Sequence, residues 1–134
     1  MAVSAVIEEG DDSTDIDFRL GNKHELTLDD NIGGSGENIN MIFPATSGNF
    51  ILVLAQDASG GRTVEPDGWK AYASDASLAD NILSANLTEG DVRWTRGLAP
   101  ILSTAGKAVD LISIYWDADN QTALAVPSFG FETP

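Results

Sequence analysis

The chain has 134 residues, 43% of them hydrophobic, and no cysteine. This sets one domain with room for a real core and excludes disulfides, thiolate metal sites and cysteine nucleophiles. Twenty-one acids against seven bases leave a formal charge of −14, a field that repels phosphate backbones and excludes nucleic acid as a partner.

Residues 1–15 read as a flexible arm. An apolar tip carrying Val3, Val6 and Ile7 is followed by Glu8, Glu9, Asp11, Asp12 and Asp15, an acidic run of the kind that stays solvated. The tip ends at Ile7 with no basic residue before it, so it is too short for a signal peptide. No later apolar stretch reaches membrane-spanning length. A chain folded in a cytosol is expected.

From Ile16 to Pro134 the pattern is a domain of short strands. "IDFRL" alternates Ile16, Phe18 and Leu20 against Asp17 and Arg19, and "HELTL" puts Leu26 and Leu28 on one face, both with period two. "GNK" between them is a turn signal, "DDNIGGSGEN" is a loop, and "INMIF" is a strand stopped by Pro44. "FILVLAQD" is apolar from Phe50 through Ala55, which predicts a central strand buried on both faces. Residues 71–91 read as an insertion with one short helix, because Leu78, Ile82 and Ala85 recur at helical spacing behind Ser74 or Asp75 as a cap. "AVDLISIYW", Ala108 to Trp116, is a strong strand. "DADNQ" is a tight connection, and "TALAVPSF" is the hairpin partner. Regular turn spacing and the lack of a βαβ rhythm predict an all-β fold, an antiparallel β-sandwich of jelly-roll type with no parallel sheet.

No motif carries catalysis. "GGSGEN" and "SGGRTV" lack the lysine of a phosphate loop, and Glu37 beside the first repels phosphate. His24 is the single histidine, with no serine in a nucleophile elbow, and it reads as a surface residue of a strand. Asp117, Asp119 and Gln121 begin a calcium-loop spacing that then fails for want of the glycine and the final glutamate. The carboxylates are too many for any acid pair to be singled out. Trp69, Trp94 and Trp116 read as core or interface packing, with a sugar-stacking platform as the other use. No cofactor and no metal is expected.

One ordered series of motifs goes further. "FILVLAQD" ends in Gln56 and Asp57 and leads into "SGGRTV", with Gly60, Gly61 and Arg62. Then come Trp94, "GLAP" from Gly97 to Pro100, and "LSTAGKAVD", with Ser103, Gly106, Lys107 and Asp110. Over residues 16–129 this series resembles a bacteriophage virion structural β-domain, found in tail fibres, tail spikes and capsid decoration (cement) proteins. The chain departs from that family at residues 71–91, where the family has a short link.

The resemblance implies a binding and assembly role without catalysis. With no fibrous stem, collagen repeat or heptads, the chain is expected to be a whole decoration protein on the outer surface of a capsid. Its partner would be the major capsid protein, and the resemblance implies a homo-oligomer, a trimer by preference. The arm (Val3, Val6, Ile7) and the turns around Arg62, Trp69 and Arg96 are the expected contacts. The residues alone equally allow Arg62 to bridge a local acid and Trp69 to cover the core. The alternative is a tail-fibre or receptor-binding tip that holds host carbohydrate through its tryptophans. A small hydrolase with an acid pair comes last.

Overall fold

The computed structural model describes residues 14–33, 38–74 and 87–132. Among the described residues nine strands follow one another: β1 (Thr14–Asp17), β2 (Lys23–Leu28), β3 (Ile39–Phe43), β4 (Gly48–Gln56), β5 (Trp69–Ser74), β6 (Leu87–Glu89), β7 (Asp91–Trp94), β8 (Val109–Asp117) and β9 (Thr122–Phe131). Two sheets result, one in the order β1-β3-β5-β6 and the other β2-β4-β8-β9-β7. The fold is all-β. The described residues contain no helix long and apolar enough to cross a membrane.

The expected antiparallel jelly-roll pairing is corrected. β1 with β3, β3 with β5, β2 with β4, and β7 with β9 are all parallel. From β1 to β5 the chain alternates between the sheets. "GNK" and "TSGN" therefore join strands of opposite layers, and each second strand is laid parallel to its predecessor, as in a solenoid. A parallel pair needs a long crossover, ordinarily a helix; from β1 to β5 the intervening strand of the other sheet serves as that crossover. From β8 onward the pairing becomes the expected hairpin, closed through Gln121 at φ 51°.

Period-two patterning sends alternate side chains to the space between the sheets. Ile16, Ile39, Met41, Phe43, Leu52, Leu54, Ile112, Ile114 and Trp116 meet there. Its centre is aromatic. The Phe43 ring stacks on Trp116 at 4.4 Å and on Phe18 at 5.1 Å, and Phe50 lies against both phenylalanines. The Trp116 indole N–H is satisfied by the Pro44 carbonyl at 3.1 Å, as a buried indole requires.

Several expectations shift here. β3, not β4, is buried on both faces, whereas β4 leaves Ile51 40% exposed. The apolar run of β4 faces the core with one side and the outside with the other, because no described strand covers the second sheet's outer face. Asp15, assigned above to a solvated arm, lies in β1 and is 1% exposed, accepting a hydrogen bond from Asn40 Nδ2. Arg19 is equally buried. Its guanidinium clasps Asp17 through two bonds, of 2.8 and 2.9 Å, at the turn that ends β1. Leu20 points outward instead of continuing the strand face. Of the expected insertion, Ala71–Ser74 belongs to β5 and residues 87–89 form β6. The predicted helix at 78–85 lies outside the described residues.

β6 and β7 run on as one segment that changes sheets. Gly90 N–H still bonds the Ala71 carbonyl of β5, and the next residue, Asp91, already bonds Gln121 beside β9. A Cβ at Gly90 would sit 2.2 Å from the Gln121 carbonyl oxygen. Only glycine allows this close approach, by which one segment passes from one sheet to the other.

Candidate binding surfaces

The glycine-rich stretch after β4 is a structural latch. Gln56 is 4% exposed. Its Nε2 donates to the carbonyls of Arg62 and Ser103 at 2.7 and 2.9 Å, and its Oε1 accepts the Arg62 N–H at 3.0 Å. Gly61 N–H bonds the Thr104 carbonyl, and Lys107 N–H bonds that of Asp57. Asp110 receives the N–H groups of Ser103 and Gly130 on its two oxygens, at 2.7 and 2.9 Å. Gly60 has φ +71°, and a Cβ there would meet the Thr104 oxygen at 2.4 Å. Gln56, Asp57, Gly60, Gly61, Arg62, Ser103, Lys107 and Asp110 thus tie the loop after β4 to the loop before β8 and to β9.

Arg62 belongs to this latch. It is half-buried and bonds Asp57 at 2.9 Å. The guanidinium, aided by the Gly60 N–H, holds the Asp57 carboxyl below its usual range, and Asp57 in turn raises Arg62. The pair is the local acid bridge that the residues allowed.

Trp69 opens β5 and is 5% exposed, so it is a core residue. Its ring meets Trp94 edge to face at 5.1 Å. Where β7 diverges from β5, these two rings line a groove of about 570 Å³ together with Lys70, Glu89, Asp91 and Leu98. Lys70 and Glu89 form a surface ion pair at 3.5 Å. Beyond Trp94, a 3-10 turn at Thr95–Gly97 puts Arg96 in the left-handed region at φ 61°, a conformation that costs about 1 kcal/mol in a residue with a Cβ. Arg96 is exposed. Leu98 and Ile101, on the same loop, are 70% and 90% exposed.

The outer face of the second sheet is also apolar. Ile51, Tyr115, Leu124, Val126 and Phe131 are each 40–52% exposed. Sequence reasoning missed this surface because apolar residues on a strand were assigned to a core. The usable signal was "FILVLA" opposite "LISIY" and "ALAV", three runs too apolar for a sheet with a solvated face.

His24 corrects a further expectation. It shares the inward face of β2 with Leu28, is 8% exposed, and lies edge-on to Phe18 at 5.2 Å. Burial, the main cause, lowers its pKa. Asp117 is held below its usual range by Asn120, whose Nδ2 bonds it at 2.8 Å. The described residues hold no cluster of three metal-ligating side chains. The structure brings Trp69 to Trp94 and places Arg62 in the latch with Gln56 and Asp57. Val3, Val6, Ile7 and Glu37 lie outside the described residues. Comparison of the chain with family models, with curated proteins and with solved structures finds no significant match.

Proposed function

We propose that this chain is a virion structural protein that decorates a bacteriophage capsid and stabilises it by binding the outer surface of the major capsid protein lattice. The observation that carries the reading is the loop at residues 95–101. Leu98 and Ile101 stand almost free of the protein beside Arg96, on a backbone pinned in a left-handed turn. Covering two aliphatic side chains of this size is worth about 4 kcal/mol before ordering costs, and that contact exists only in an assembled shell. Binding to the folded lattice then stabilises it by mass action. The convergence of the resemblance residues into one latch supports a scaffold shared with phage virion domains.

The test mixes the protein with expanded capsids that lack it. Binding with a gain in heat resistance is expected, and Ile101→Asp should weaken it about tenfold or more. Wild-type protein that does not bind, or binds with no gain, overturns the reading. The tryptophan groove favours a second reading, a receptor-binding tip that holds host carbohydrate against Trp94 among Lys70, Glu89 and Asp91. Saturable glycan binding lost in Trp94→Ala would replace the first reading by this one.

A further inference from the structure

We infer that the outer face of the five-stranded sheet is a self-association surface whose occupant is the same face of a second copy of this chain. The inference is independent of capsid binding, which was argued from the loop at residues 95–101.

The face is continuous. Ile51 pairs across the sheet with Ser113, and Ser113 with Val126; Tyr115 lies between Asn49 and Leu124. Ile51, Tyr115, Leu124 and Val126 surround a shallow depression of about 390 Å³. With Phe131, their exposures of 40–52% leave roughly 500 Å² of apolar surface, near the upper end for a stable monomer.

Charge argues for a second copy. The chain carries −14, yet among the described strand residues this face holds Lys23 and Arg93 against Glu25, Asp91 and Asp117. Two cations against three anions leave −1. Two copies repel through most of their surface, and this is where they meet with least repulsion.

Shape argues the same way. Two sheets pack face to face about 10 Å apart when both are broad and apolar, and the chain itself supplies such a partner. The five strands have 6, 9, 9, 10 and 4 residues, which at ~3.3 Å along and ~4.8 Å between strands give a footprint on the order of 600 Å², about three quarters of the roughly 800 Å² per partner of a stable interface. Face-to-face stacking is isologous and closes as a pair, in contrast to the trimer implied by the resemblance.

The experiment is sedimentation equilibrium of the full chain from about 20 mM to about 1 M salt, where screening shortens from more than 20 Å to about 3 Å. Apolar pairing of like-charged chains must strengthen with salt, whereas charge-driven pairing weakens. The dimer dissociation constant should fall about tenfold or more across that range, and Val126→Lys and Leu124→Lys should each raise it by a similar factor. Both sites are exposed, so the thermal midpoint should stay unchanged. A wild-type chain that is monomeric at high salt overturns the inference, as does an oligomer that both variants leave intact. A monomer whose capsid binding is lost in these same variants assigns the face to another protein and also overturns it, whereas loss of capsid binding in Ile101→Asp alone leaves it standing.

Discussion

Removing the Gln56 side chain is the sharpest perturbation of this fold. Gln56 makes three hydrogen bonds, two donated to the carbonyls of Arg62 and Ser103 and one accepted from the Arg62 N–H. At about 1 kcal/mol net for each, their sum is about 3 kcal/mol. Two effects adjust it. The loops at Arg62 and Ser103 are only half-buried, so water can replace part of the bonding; truncation of a buried side chain opens a small cavity that works the other way. A loss of about 2–4 kcal/mol is expected for Gln56→Ala, or roughly 10 °C in the midpoint for a chain of this length. Urea unfolding with linear extrapolation measures it. Gln56→Glu keeps the acceptor but turns the two donated contacts into oxygen facing oxygen, so it should lose about as much at neutral pH. A loss below about 0.5 kcal/mol in both variants would refute the latch as a source of stability.

Two further predictions concern the same fold. Gly60→Ala meets both a left-handed φ and the Thr104 oxygen, whereas Gly61→Ala meets a left-handed φ of +78° with nothing within 4 Å. The first should cost more than about 2 kcal/mol and the second about 1 kcal/mol; equal losses in urea unfolding would show that the close approach is relieved without cost. For His24 the folded state takes up a proton less readily than the unfolded chain, because burial lowers its pKa from 6.5. Its contribution is therefore fully present above that value and is lost as pH falls through it toward the lower folded value. NMR titration should place its pKa below 6.5. Stability should decline on acidification through that window and flatten in His24→Leu, and a wild-type curve that is already flat would contradict the burial argument.

Much of the local structure was legible in the residues. Alternation located β2, apolar runs between turn signals located β3, β4, β8 and β9, and the "DADNQ" turn placed the β8–β9 hairpin. The same alternation carried His24 inward, since it lies two and four residues before Leu26 and Leu28, so its burial was readable and was outweighed by its polarity. The latch was legible as a motif without its purpose. "SGGRTV" marks the loop, but that Gln56 would reach both Arg62 and Ser103, 47 residues away, depends on where the loop before β8 passes.

The sequence by itself determined the class of this protein: all-β, strongly acidic, without thiols. Composition and period two are local quantities, and each strand carries its own record of which face is apolar. Only the tertiary structure decided which edge each strand presents to which neighbour. A strand has the same pattern whether its partner runs parallel or antiparallel, so the coil from β1 to β5 was invisible until the turns were seen to cross between layers. The same limit hid the candidate surfaces. An apolar side chain is equally suited to a core or to a partner, and Ile51 and Ile101 are exposed only because no described strand lies over them.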